Sequence, residues 1–484
     1  MRLVVSILIN LVFLSAVKAQ THSAVERFLS APYMKGASVS LMIKDMRDGK
    51  VIVSHDSERE VIPASVLKIV TTAAALELLG ENFRYETAIM YDGRILNHVL
   101  HGNLYIRGSG DPSLGSSEMK AGRDKIIREW VTAIKNVGIH KITGAVIADE
   151  RIFDFEGISM KWLREDMGSY YAPGSYGLNI FDNSYSLFLN SGEPNSRPEI
   201  VKCEPELPSL IFHNYLKTVQ AERDSSYIIG LPHTNERYLY RTVPANRFAY
   251  QLKGDIPYPP LFLAQYLTKL LENEQITIDG IPACYHVLSQ DSTLQKTERK
   301  ILTTTYSPPL KDLVHITNHV SHNLYADALL KTIGIRYRTD EVISSFDKGI
   351  HILNQHWIEK GLNPASLRMF DGCGLALTDK ITAAFLCEVL SYMANQSSVS
   401  KSFTESLPRA GMDGTVANTL RNSDLHGNAR LKSGSMSRVR SYAGYITKEN
   451  QSYAVAIIVN NFSCNQSQMK TDIERLLLSL YAEM

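Results

Sequence analysis

The two ends of this chain share a texture that its middle lacks, and that division limits the fold more than any other feature. From Ala37 the sequence reads Val39-Ser-Leu-Met-Ile-Lys, then the turn residues Asp48-Gly49, then Val51-Ile-Val-Ser, which is a β-hairpin by pattern and turn chemistry. Ser65 opens a helical stretch in which Val66, Ile69, Val70, Ala73 and Leu76 recur at helical spacing, and Gly80 is a suitable stop. Near the other end, Ala429-Arg-Leu-Lys-Ser, Ser441-Tyr-Ala-Gly-Tyr-Ile-Thr and Tyr453-Ala-Val-Ala-Ile-Ile-Val read as successive antiparallel strands. A last helix from about 468 to 481 carries Ile473, Leu476, Leu477 and Leu480 on one stripe. Between about Phe83 and Asp279 the texture turns to short strands and turns, such as Gly102-Asn-Leu-Tyr-Ile-Arg-Gly and Gly144-Ala-Val-Ile-Ala-Asp. Helices from about Leu261 to Glu272 and from Leu313 onward restore the α/β pattern. The expectation is one split α/β domain, an antiparallel sheet with helices, holding a mainly β insertion.

At 484 residues the chain has room for roughly three domains at about 150 residues each. Its 51 basic and 50 acidic residues supply no excess for binding a phosphate backbone, so nucleic acid is a poor partner. Met1-Arg2, an apolar run from Leu3 to Val17, and small residues ahead of Gln20 predict a secretory leader cut after Ala19. The run is shorter than the roughly 18 to 20 residues of a membrane span and contains Ser6 and Asn10. Export would permit disulfides, yet the five cysteines are an odd number, without a C-x-x-C pair, and read as mostly buried thiols.

Ser65-Val-Leu-Lys68 places a hydroxyl and an amine on neighbouring positions of one helix face, which suits a serine nucleophile with a lysine base. The tetrad alone is weak, because Ser-x-x-Lys recurs at Ser15, Ser117, Ser345, Ser398 and Ser467. Order and context strengthen it. Ser321-His-Asn323 lies where two helices meet, and Lys432-Ser433-Gly434-Ser435 lies on a C-terminal strand, where glycine permits close approach of substrate. Lys432 at that place can hold an anionic carboxylate. Gly108-Ser-Gly110 lacks the third glycine and following helix of a dinucleotide loop. His315, His319 and His322 have the spacing of one helix face, but no His-Glu-x-x-His accompanies them, so no metal or other cofactor is expected.

With these three motifs in order, the chain resembles the class C low-molecular-mass penicillin-binding proteins, the D-alanyl-D-alanine carboxypeptidase/endopeptidase family. Pro63-Ala-Ser-Val-Leu-Lys, Gly102 to Pro112, Ser321-His-Asn-Leu-Tyr-Ala-Asp-Ala-Leu, Asp371-Gly-Cys-Gly-Leu, Ser406 to Thr415 and Lys432-Ser-Gly-Ser-Met-Ser carry the resemblance over nearly the whole mature chain. It implies a split transpeptidase/β-lactamase-like domain over 20–83 and 278–484. An inserted domain over 84–179 and 254–277 would hold a third, over 180–253. It also implies catalytic roles for Ser65, Lys68, Ser321, Asn323 and Lys432, with substrate contacts from Ser433, Gly434 and Ser435. The implied partners are peptidoglycan stem peptides and covalently bound β-lactams, in the periplasm. Oligomeric state is left open.

The sequence departs from the family pattern at four places, one of them Ser433, which replaces Thr and keeps its hydroxyl. His322 stands where many relatives have Asp or Asn, Cys373 where Ser is usual, and Leu377 where Arg is frequent. In relatives that read meso-diaminopimelate an Asp pairs with the side-chain amine; Trp162-Leu-Arg-Glu-Asp166-Met matches that segment, so Asp166 is the candidate, with Met436 and Ser437 lining the same pocket. The rival functions are a serine β-lactamase and a catalytically silent peptidoglycan-binding protein.

Overall fold

A computed structural model describes residues 23–119, 122–290, 297–336 and 344–484. The expected leader lies outside the described residues. The chain forms two compact units, one holding residues up to Glu81, Val314–His322 and Ile350–Met484, the other Asn82–Leu313 and Asn323–Gly349.

In the first unit the N-terminal hairpin and the C-terminal meander form one antiparallel sheet. Its strands run in the order Val51–His55, Ser38–Asp45, Gln451–Asn460, Val439–Lys448, Ala429–Met436. The seam between chain ends is registered from Ser38 opposite Asn460 to Asp45 opposite Tyr453. Residues 453–459 are all buried, because helices cover both faces of this central strand. On one face Val455, Ile457 and Val459 join Leu41 and Ile43 under Met469, Ile473 and Leu476 of the final helix, Gln466–Glu483. Alternation turns Ala454, Ala456 and Ile458 to the other side, where the helix Ala383–Asn395 packs on the sheet and carries the helix Lys68–Leu79 behind it. Gly80 ends that helix with φ +85°, as its sequence position predicted.

The second unit is built on a five-stranded sheet, Ala283–Cys284, Val146–Asp149, Leu104–Arg107, Glu86–Tyr91 and Lys300–Tyr306. Helices Lys125–Asn136 and Pro259–Asn273 pack against it, and the Trp130 indole donates to Thr305 Oγ1 at 2.8 Å. Strand Lys300–Tyr306, expected in the split domain, closes the edge of this sheet beside Glu86–Tyr91. Residues 184 to 255 supply strands of three to nine residues, in two three-stranded sheets and one two-stranded sheet. A buried ion pair, Arg237 Nε to Asp255 Oδ1 at 3.0 Å, ties two of these small sheets together. The mainly β insertion is thus observed, with two long helices in its outer part.

Candidate active site

The nucleophile turn begins with a strained residue. Ala64 has φ +49°, and the chain then makes a 3₁₀ turn over Ala64–Leu67 before the α-helix starts at Lys68. This geometry brings Lys68 Nζ 3.0 Å from Ser65 Oγ. The lysine is fully buried, and its amine also donates to the Cys373 carbonyl at 2.7 Å. That carbonyl is held in place by a loop folded around Asp371, whose carboxylate accepts the N–H groups of Cys373, Gly374, Leu375 and Ala376 at 2.6–3.1 Å. Gly374 is required there: it has φ +81°, and an added Cβ would lie 2.1 Å from the Ala64 carbonyl oxygen. The Cys373 side chain is itself buried, which agrees with a small core residue rather than an accessible thiol. No disulfide joins the five cysteines.

The third motif lies on the edge strand Ala429–Met436. Lys432, fully buried, donates from Nζ to Ser321 Oγ at 2.8 Å and to the Ser433 carbonyl at 2.8 Å. Burial first, and the charge of Lys68 second, hold its pKa well below the ordinary lysine value. Ser321 adopts φ +62° just past the end of the helix Leu310–His319, a left-handed conformation that costs energy and aims its hydroxyl at Lys432. Gly434 passes directly over the nucleophile turn; an added Cβ would meet Ser441 Oγ at 2.3 Å and Ser65 N at 2.9 Å. The turn is strapped to the sheet by Ser441 Oγ donating to the Pro63 carbonyl at 2.7 Å and by Asn460 bonding both backbone groups of Ile62. Ser433 Oγ donates to Thr415 Oγ1, Ser435 Oγ donates to Gln466 Oε1, and Met436 and Ser437 lead into the turn before Val439.

Four of the five expected catalytic residues therefore stand in the first unit as two bonded pairs, Ser65 with Lys68 and Ser321 with Lys432, and the Lys68 charge acts on Lys432. Asn323 and Asp166 belong to the second unit. There Asn323 opens the helix Asn323–Arg336 and donates from Nδ2 to the Tyr171 carbonyl at 2.7 Å, while the Tyr171 hydroxyl donates to Asp166 Oδ1 at 2.9 Å. Burial raises the Asp166 pKa against the opposing effect of the Tyr171 bond. Leu377 is half-buried and provides no charge.

His315 and His319 stack at 4.4 Å between ring centroids, and His319 Nε2 lies 3.5 Å from Asp413 Oδ1. Thr415 and Gln466 were missed as contributors by the sequence reading. Thr415 ends a segment already singled out by resemblance, whereas Gln466 gave no signal beyond standing at a helix start.

The serine–lysine pair and the second, buried lysine on a serine lie together in the unit whose sheet is built from both chain ends. The chain belongs to the D-Ala-D-Ala carboxypeptidase 3 (S13) family, whose model matches residues 21–481. D-alanyl-D-alanine carboxypeptidase DacB of Haemophilus influenzae is 24% identical over 444 residues, covering 90% of this chain and 88% of that one. The D-alanyl-D-alanine carboxypeptidase of Actinomadura sp. strain R39 is 24% identical over 456 residues, covering 91% and 80%. The crystal structure of penicillin binding protein 4 from H. influenzae shares the fold with a TM-score of 0.78 at 22% identity, covering 93% of this chain and 96% of that one.

Proposed function

We propose that this chain is a serine-type D-alanyl-D-alanine carboxypeptidase and endopeptidase acting on peptidoglycan stem peptides and their cross-links. The observation that carries the reading is the paired geometry of Ser65 on Lys68 and Ser321 on Lys432. Ser65 Oγ attacks the carbonyl carbon of the D-Ala-D-Ala peptide bond as Lys68 takes its proton. The Ser65 and Ser435 backbone N–H groups stabilise the oxyanion, a charge present only in the transition state. Ser321 passes a proton to the leaving amine and is resupplied by Lys432. The carbon–nitrogen bond breaks, the acyl group stays on Ser65, and water releases it. Burial, and after it the charge of Lys68, hold the Lys432 pKa below the ordinary lysine value, which suits Lys432 to give up a proton.

Asn323 orients the substrate amide in this reading. Asp166 meets an amine on the third residue of the stem peptide in this reading, Met436 and Ser437 are further substrate contacts, and Leu377 supplies no Arg for a carboxylate. β-Lactams acylate Ser65 in the same way; a β-lactam complex is known for the H. influenzae penicillin binding protein 4. The family match favours the peptidase over a β-lactamase, and the intact motifs argue against a silent scaffold. The three-part division into 20–83 with 278–484, 84–179 with 254–277, and 180–253 is proposed with it, as is export to the periplasm on residues 1–19. No helix among the described residues is long and apolar enough to cross a membrane.

Incubating the purified protein with muropeptides and weighing the products tests the activity. Loss of one terminal alanine, or splitting of cross-linked dimers, is expected. Unchanged muropeptides under conditions where the protein is folded would contradict the reading.

A further inference from the structure

Ser321 is held in a conformation that a residue with a side chain does not favour. Its φ of +62° is left-handed, a strain that persists only where the surroundings over-determine it. Three residues earlier, on the helix Leu310–His319, Asn318 is fully buried. Its side-chain amide donates to Thr72 Oγ1 at 3.1 Å and to Ser406 Oγ at 2.8 Å.

Each of these contacts leads to a different motif. Thr72 lies on the helix that starts at Lys68, and its hydroxyl donates to the Lys68 carbonyl at 2.6 Å. Ser406 ends the helix Ser400–Ser406, donates to the Phe403 carbonyl at 2.6 Å and is followed by Leu407 and Pro408. That segment is bonded to the third-motif strand, by Leu431 N–H to the Pro408 carbonyl at 2.9 Å and by the Arg430 guanidinium to the Leu407 carbonyl at 3.1 Å. A single side-chain amide thus joins the supports of the Ser65–Lys68 pair, of Ser321 and of Lys432. Both hydroxyls already give their own protons to backbone carbonyls, so toward position 318 they are acceptors and call for a donor between them.

We propose that Asn318 is a positioning residue for proton delivery, clamping Ser321 in its left-handed conformation at a fixed distance from the Ser65–Lys68 turn. This rests on the acyl-transfer reading above and deepens it, because Ser321 there gives a proton to the departing amine. Fully buried, Asn318 acts through the groups it holds and not on substrate. In amide cleavage the carbon–nitrogen bond breaks as the nitrogen takes the Ser321 proton, which Lys432 replaces. In a thioester the carbon–sulfur bond breaks with its electron pair kept on sulfur, and the thiolate leaves without an acid. A displaced Ser321 therefore slows cleavage of the amide and spares that of the thioester.

The test compares wild type with Asn318→Leu, which keeps the branched shape and loses the donor. The substrates are a peptide ending in D-Ala-D-Ala and the same peptide with a thioester in place of the scissile amide. Asn318→Leu is expected to lower kcat/KM on the amide by about tenfold or more, and on the thioester by less than about twofold. Thr72→Val, at the other end of the same bond, is expected to give the same split even if Asn318→Leu does not fold, and Thr72→Ser to stay near wild type. The double variant Asn318→Leu with Thr72→Val is expected to lose no more than either single variant, because both remove one contact. Equal losses on amide and thioester, no loss on the amide, or additive losses in the double variant would overturn the proposal. Ser321→Ala separates the two claims: if it too loses equally on both substrates, the proton role given to Ser321 fails, whereas a wild-type protein that cleaves neither substrate defeats the acyl-transfer reading itself.

Discussion

Lys432 is the residue whose environment says most about how the site works. An amine wholly removed from water and facing a second lysine is held below its ordinary pKa, because burial and a like charge both penalise the protonated form. The same repulsion acts in reverse on Lys68. Replacing Lys432 with Met removes the neighbouring cation, so the charged form of Lys68 is favoured and its pKa rises. The acid limb of the pH profile for β-lactam acylation should therefore move to higher pH in Lys432→Met, with a lower plateau because Ser321 loses its proton partner. A limb that stays put or moves to lower pH would show that the two lysines do not share their titration. Depressing the pKa of a buried lysine also costs stability as pH falls, since the unfolded chain then binds the extra proton. Lys432→Met should accordingly lose less stability than wild type between pH 10 and pH 7, a window bounded above by a free lysine's pKa of about 10.4. At this scale the sequence was informative: three short motifs in order, and the family resemblance they carry, pointed to Ser65, Lys68, Ser321 and Lys432, which the structure brings into one unit. Thr415 was not legible, because its partner lies across a non-local contact that spacing cannot encode.

Among the elements, the third-motif strand positions the site by lying close to the nucleophile turn. Gly434 makes that approach possible, and its replacement by Ala forces Ser441 Oγ, the Pro63 carbonyl and the Ser65 N–H to give way. Gly434→Ala should slow acylation by about a hundredfold, comparable to losing one oxyanion donor, while a small cost in thermal stability leaves the protein folded. Acylation at the wild-type rate would show that the strand does not set the oxyanion geometry. The strands and helices that form the split domain were largely readable, since 453–459 is a continuous apolar run and the final helix carries an unbroken stripe. The 3₁₀ start of the nucleophile helix and the left-handed Ser321 were not readable. Each is a local strain maintained by tertiary bonds, which propensity alone opposes. The partner of Lys300–Tyr306 was equally hidden, because alternation marks a strand without naming the sheet it joins.

For the whole molecule, the split arrangement places the chemistry on a sheet made from both chain ends and leaves the middle to form its own cores. The small sheets between residues 184 and 255 depend on Arg237, fully buried and paired with Asp255. Arg237→Ala should destabilise the protein by about 3–5 kcal/mol, because it strands a buried carboxylate. Arg237→Met combined with Asp255→Leu should recover most of that loss in urea unfolding. A single variant as stable as wild type would show that the pair is not buried in solution. The central claim, that Ser65 is acylated with Lys68 as its base, is tested most directly by mass spectrometry of the mature protein after brief exposure to a β-lactam. The account predicts one adduct of the drug's mass, on the peptide containing Ser65, absent from Ser65→Ala and strongly slowed in Lys68→Met. An adduct on any other residue, or undiminished labelling of folded Ser65→Ala, would contradict it.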